Sequence, residues 1–301
     1  MVSSKKILKE ITSLRNKKYL PQGYIAFHGD LFQRQLETKD KLLHDNVLEN
    51  FNPGNVEQKL KAGVHILDLD RIQSINGPLV DLVDTICRLI EKHGKWDASK
   101  VKPLKQAVEK NRLNVQTLMT KAALKDSQYF ESLSESLGVE AEILYYMGIQ
   151  VGKPLFELLA ESVEGKIGRG LWTGGFCPVC GQEPAIAKIE REEGHRILHC
   201  WLCNTEWPFR RLQCPFCLND DHETLRFFYF DEVSPYRVDV CDVCKRYLKT
   251  VDERKLNEEQ RANLEVESIH TIFLDIIAID EGYSGSQTQL LNLDKESVPT
   301  S

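Results

Sequence analysis

A chain of 301 residues, 42% hydrophobic and 28% charged, has apolar material for a sizeable core and length for about two domains. Its net charge of −6 disfavours a polyanionic partner, and it contains no run of 18 apolar residues, so no membrane insertion is expected. The basic N-terminal stretch has no continuous apolar segment of the kind a secretory signal carries, which predicts a cytoplasmic, reducing environment.

Taken in order, residues 1–20 place Ile7, Leu8, Ile11 and Leu14 on one stripe and predict a short amphipathic helix. Residues 21–165 read as all-helical. The stretches 29–50, 77–94 and 99–124 each carry apolar residues at helical spacing, with Pro78 near a helix start and Gly94 at a helix end. In the second stretch Leu79, Leu82, Val83, Ile86, Leu89 and Ile90 form one face, with Cys87 beside it as a small buried hydrophobe. Residues 139–164 read as a long helix or a helix pair, with Gly152 and Pro154 marking a break or kink. Residues 165–170, GKIGRG, form a glycine-rich hinge. No phosphate loop, nucleophile signature or metal-ligand cluster stands out in this half.

The cysteines then dominate. Eight of nine lie between Phe176 and Lys249 as four Cys-x-x-Cys pairs: Cys177/Cys180, Cys200/Cys203, Cys214/Cys217 and Cys241/Cys244. Thiolates are soft ligands, and four of them close a tetrahedral shell around zinc or iron. Residues 184–190 and 195–199 alternate apolar and polar residues about a Glu-Glu-Gly turn, and 224–230 and 236–240 do the same about DEVSP. Each reads as a β-hairpin capped by cysteine turns, as in zinc ribbons and rubredoxin-like sites. The hairpins pair Cys177, Cys180, Cys200 and Cys203 in one set and Cys214, Cys217, Cys241 and Cys244 in the other. A cross-braced pairing, first with third and second with fourth, also satisfies the spacing. The residue after each second cysteine favours positive φ. Gly181 and Asn204 accept that readily; Leu218 and Lys245 accept it less well.

The expected fold class is α+β: a helical domain (1–165), two tandem rubredoxin or zinc-ribbon modules (171–208 and 209–250), a C-terminal helical segment (251–283) and a flexible tail (284–301). Ile269, Ile272, Phe273, Ile276 and Ile277 are predicted to form the buried face of the last helix. With its own apolar faces, the helical domain is expected to stand without metal. His195, His199 and His222 are expected on exposed hairpin positions. Glu183, Glu206 and Asp242 would serve as a base only beside a metal with an open position, and four thiolates leave none. Residues 171–250 hold ten Lys or Arg and twelve Asp or Glu, a net −2 that reaches −6 with eight thiolates and two divalent ions. Such a domain repels phosphate unless its cations cluster. Arg210 and Arg211, the adjacent pair, read as a surface spot for a protein partner.

FCPVCG, then RILHCWLCNTEW, a further Cys-x-x-Cys and VCDVCKRYLK, with LDIIAIDEGY near the end, resemble the formate dehydrogenase accessory protein family, FdhE. The likeness is specific from about Leu171 to Tyr283. It implies a cytoplasmic, non-enzymatic maturation factor that acts on the catalytic subunit of formate dehydrogenase, with the eight cysteines holding two metal ions per chain, iron or zinc. A homo-oligomer is compatible with such a role. Two other classes share the motifs: a zinc-ribbon nucleic-acid or transcription module, and a rubredoxin-like electron carrier.

Overall fold

The computed structural model describes the chain except residues 1–3, 18–19, 50, 70–76, 95–97, 111, 169, 230–233, 259 and 287–301. Ten α-helices and six strands are found among the described residues. Helices α1 (Ser4–Ser13), α2 (Gln22–His44), α3 (Val56–Lys61), α4 (Pro78–His93), α5 (Ala98–Glu109), α6 (Val115–Ala123), α7 (Ser127–Leu137) and α8 (Ala141–Val163) precede the strands.

Where helix signals were strong, the chain follows them. Pro78 opens α4 and Gly94 closes it at φ 64°, its N–H donating to the Ile90 carbonyl at 2.9 Å. The stretch 99–124 is divided into α5 and α6 because Asn114 caps α6, its side chain accepting from the Thr117 N–H at 2.8 Å. Helices α3 and α7 lie within the stretch read as all-helical but outside the three segments singled out there. Helix α8 runs unbroken through Gly152 and Pro154. The glycines serve packing instead of a break. A Cβ at Gly148 would lie 2.8 Å from both the Ala122 Cβ and the Leu118 carbonyl, so bare backbone lets α6 lie directly on α8.

The strands β1 (Pro184–Ile189), β2 (Arg196–Cys200), β3 (Glu206–Phe209), β4 (Leu225–Tyr229), β5 (Tyr236–Cys241) and β6 (Arg246–Asp252) form one sheet in the order β3-β2-β1-β6-β5-β4. Both expected hairpins are present. They are fused by parallel pairing of β1 with β6, from Ile186 opposite Lys249 to Ile189 opposite Asp252. One face of the sheet, carrying Ala187, Leu198, Trp207 and Leu248, packs into a continuous core with α2, α4, α6 and α8. That core also contains Cys177, Cys180, Cys200 and Cys203, so the helices and the first cysteine set are not separated by a gap at 165–170.

The opposite face packs against α9 (Leu264–His270) and α10 (Ile272–Asp280). These replace the single last helix expected within 251–283, and they part at Thr271. The buried face of α10 is Ile272, Leu274, Asp275 and Ala278. It is rotated from the expected isoleucine face because Asp275 turns inward. Its carboxylate accepts from the Lys249 Nζ at 2.6 Å and the Tyr247 hydroxyl at 2.8 Å, both on β6. Helix α1 joins this layer through Ile11 and Leu14, which share a cluster with Val266 and Ile272. The first residues of the expected tail are docked: Ser284 donates to the Lys245 carbonyl at 2.9 Å and accepts from the Tyr247 N–H at 3.1 Å. Residues 287–301 of that tail lie outside the described residues.

Candidate metal centres

Each cysteine pair sits on the same local structure, a tight turn in which the chain folds back over its own carbonyl. The Gly181, Asn204, Leu218 and Lys245 N–H groups donate to the Cys177, Cys200, Cys214 and Cys241 carbonyls at 3.0, 3.2, 3.0 and 2.9 Å. Closing such a turn requires positive φ after the second cysteine. The four residues have φ of 77°, 58°, 60° and 55°, so Leu218 and Lys245 adopt it despite their side chains. The turns free backbone donors for sulfur: the Val179 and Leu202 N–H groups each lie 3.4 Å from the Cys177 and Cys200 Sγ.

The turns meet in the two sets read from the hairpins. Cys177 Sγ lies 3.5 Å from Cys203 Sγ, and Cys180 Sγ lies 3.4 Å from Cys200 Sγ. In the other set both Cys214–Cys244 and Cys217–Cys241 are 3.7 Å apart. Within each set all four sulfurs fall within 4.8 Å of one another. A tetrahedron with metal–sulfur bonds of about 2.3 Å has sulfur–sulfur edges of about 3.8 Å. The sulfurs thus stand where a tetrahedral zinc or iron ion needs them, and each set can hold one ion. The cross-braced combination is not brought together.

Four thiols this close cannot all ionise without a cation between them. Burial alone would raise Cys177, but hydrogen bonds from the other three cysteines and the backbone hold it well below the usual thiol range. Cys180 and Cys200 are driven well above it, by burial first and then by their neighbours. In the second set Cys241 is lowered, whereas burial foremost pushes Cys214 up to about 11. A divalent ion removes this conflict by paying the charge of all four thiolates at once.

The surroundings of the two sets differ. All four cysteines of the first are buried, whereas in the second Cys217 is exposed and Cys244 half-buried. The helical domain grips the first set directly. The Ile66 and Leu67 N–H groups donate to the Pro178 and Val179 carbonyls at 2.9 and 2.8 Å. Gln182 donates to the Ala123 carbonyl at the end of α6. The Asn204 side chain donates to Glu157 of α8 at 3.0 Å. Buried Glu157 also meets Lys39 at 3.5 Å and Lys153 at 4.0 Å, yet burial, reinforced by Glu265, pushes its carboxyl up to about 7.

The other singled-out residues find structural places. His199 is buried, not exposed as expected: it lies on β2 opposite both Ile186 and Glu206, and burial foremost, aided by the charges of Lys153 and Lys188, lowers its pKa to about 3. His195 is exposed beside Glu193 and His222 is exposed. Glu183 is held by Arg246 at 3.0 Å and Lys125 at 2.9 Å, joining β6 to the end of α6. Glu206 pairs with Lys188 at 2.7 Å. Asp242 accepts from Arg226 and Lys245, which hold its carboxyl well below the usual range. Cys87 is buried on α4, and desolvation raises it to about 12. The link from Glu157 to Asn204 is invisible in sequence because its partners are 47 positions apart.

Comparison with known proteins agrees with this architecture. Residues 176–211 match the family model described as "FdhE, central domain". A protein FdhE homolog from Aquifex aeolicus is 27% identical over 233 residues, 76% of this chain and 75% of that protein. One from Haemophilus influenzae is 34% identical over 113 residues, 36% of each chain. The crystal structure of the FdhE protein from Pseudomonas aeruginosa is similar in fold, with a TM-score of 0.64 at 18% identity, covering 96% of this chain and 94% of that one. No helix among the described residues is long and apolar enough to cross a membrane. With its matched central segment running through the first cysteine set, the chain is similar to FdhE proteins in sequence and to one of them in fold.

Proposed function

We propose that this chain is a non-enzymatic accessory factor that binds the catalytic subunit of formate dehydrogenase in the cytoplasm and is needed for that subunit to become active. In this reading Cys177, Cys180, Cys200 and Cys203 hold one iron or zinc ion, and Cys214, Cys217, Cys241 and Cys244 hold a second. The ions, when bound, cross-link hairpin turns and neutralise the thiolates. Similarity to FdhE proteins supports the reading. The observation that carries it is that each set offers four sulfurs to one ion, a full tetrahedral shell, while the nearby Glu183, Glu206 and Asp242 are each tied into ion pairs. Such an arrangement builds a rigid surface and supplies no open metal position for a substrate. The test is co-purification of the tagged chain with the dehydrogenase subunit from formate-respiring cells, beside dehydrogenase activity in a deletion strain. Retention of the subunit and loss of activity without loss of its polypeptide are expected. Full activity in the deletion strain would overturn the reading.

The exposure of Cys217 favours one second reading, an electron-carrying iron in the second set. It requires a reversible visible band that is lost in Cys217→Ser.

A further inference from the structure

The two edges of the sheet are unlike. Strand β3 is four residues long and carries Pro208, which blunts an edge against further pairing. Strand β4, Leu225–Tyr229, has neither proline nor lysine, and among the described residues its outer side pairs with no strand. Phe227 stands on it 55% exposed. Beside this edge, on the sheet face that carries Asp239 and Leu248, lies a cavity of about 130 Å³. It is walled by Phe216, Phe227 and Leu248 and by five arginines from separate parts of the chain, of which Arg226 is paired with Asp242.

Those arginines exceed the carboxylates that face them. Arg196, 4% exposed, donates to Asp239 at 3.1 Å and to the Gln213 carbonyl at 3.1 Å, while its buried Nε makes no hydrogen bond within the protein. Arg237 shares the same Asp239 at 2.9 Å and stacks 4.9 Å over Phe227. Arg246 is spread between Glu183 and the Phe216 ring. Arg211 lines the cavity exposed and without an ion pair among the described residues. An arginine-rich spot on a chain of net charge −6 is a local reversal of the field.

We propose that this cavity and the open edge of β4 form one docking site for an extended acidic segment of a protein partner, which adds a strand to β4 and places a carboxylate side chain among Arg196, Arg211 and Arg237. The volume favours one side chain over a nucleotide, since whole-ligand sites run from about 300 Å³ upward. An unpaired edge supplies main-chain affinity, and alternate side chains supply specificity. Arginine forks and aromatic walls match a carboxylate on a strand. The proposal rests on the protein-binding reading above and names the surface and the chemistry of what is recognised.

The experiment uses the full metal-loaded chain. A fluorescent peptide of alternating valine and glutamate, about six residues long as strands commonly are, is titrated beside its valine–glutamine counterpart, inorganic phosphate and oligothymidylate. The acidic peptide is expected to bind and to protect the β4 amides from hydrogen exchange. Arg211→Glu should weaken it about tenfold or more and Arg211→Lys far less, with both variants melting like the parent. Equal binding of the two peptides, or no change in Arg211→Glu, overturns the proposal. Phosphate binding without β4 protection would make this a small-anion pocket. Oligothymidylate displacing the peptide would make it a nucleic-acid surface, and dimerisation through β4 would make the occupant a second copy. Each of these overturns it as well. Co-purification of the dehydrogenase subunit with parent and Arg211→Glu separates the two claims. Retention by both sinks the docking site alone, and retention by neither sinks the protein-binding reading.

Discussion

The two cysteine sets share ligands, turn geometry and sulfur spacing, but one lies inside the main core and the other at its margin. The first is enclosed by α6, α8 and the 66–67 backbone, with Trp201, Leu202 and Trp207 filling the space around it. The second projects Cys217, Leu218 and Val243 outward, the last two 54% and 61% exposed. Identical local chemistry therefore serves two physical tasks. A metal in the first set would complete a core that the helices share. A metal in the second would shape a surface, since Cys214 and Cys241 border the arginine cavity beside the open strand edge.

The sharpest way to break this comparison is to remove one ligand from each set. Cys200→Ser should leave three thiols inside a shared core, and structural zinc sites contribute on the order of 10 kcal/mol to small domains. Loss of cooperative folding is expected, read by circular dichroism as loss of helical as well as sheet signal. If the helices survived intact, the core would be divisible after all. Cys217→Ser should empty only the second set. Elemental analysis should fall from two ions to about one, the melting transition should persist, and a chelator titrated into the parent should extract the second ion first.

How far the sequence foretold this difference depends on the range of each interaction. The pairing of Cys177 with Cys200 and of Cys214 with Cys241 was legible because ligand spacing and hairpin length are local properties. The strain at Leu218 and Lys245 was legible in outline, since the turn demands positive φ whatever residue occupies it. The fusion of both hairpins through Ile186 and Lys249 was not, because parallel partners lie far apart in sequence and their apolar alternation suits any neighbour. The same holds for the gathering of Arg196, Arg211, Arg237 and Arg246, whose summed charge disappears into an acidic composition. His199 misled because its neighbours in sequence suggest a surface hairpin, whereas the packing of β2 buries it.

Glu157 offers a subtler test, since it ties the first set to α8 through Asn204. Its carboxyl is raised to about 7 by burial foremost, above the 4.5 usual for glutamate. Between those two pH values the folded chain holds a proton that the unfolded chain releases, so this group lowers stability as pH rises through that window. The change is at most about 3 kcal/mol for a shift of this size. Thermal melts of metal-loaded protein between pH 5 and 8 should therefore show a downward slope that Glu157→Gln flattens, and an unchanged slope would mean that Lys39 and Lys153 keep the carboxylate charged. No comparable buried carboxylate supports the second set among the described residues, so substitutions around it should leave the slope alone.

The smallest effect is the most specific, because it compares the same backbone position in the two environments. Gly181 and Leu218 follow equivalent cysteines with φ of 77° and 60°. At Gly181 a Cβ would come within 2.9 Å of the His65 ring, so Gly181→Ala adds a clash to an unfavourable φ. A loss of about 2 kcal/mol is expected, the left-handed strain alone being about 1 kcal/mol or more. At Leu218 the side chain is 54% exposed and contributes little packing, so glycine would relieve strain there. Its gain is offset by the greater freedom glycine gives the unfolded chain, which leaves about 0.5 kcal/mol in favour of Leu218→Gly. Denaturant unfolding of the two variants with both ions bound measures the pair directly. Opposite signs support a packed first turn and an open second one, whereas a loss in both would show that Leu218 makes a contact that its exposure conceals.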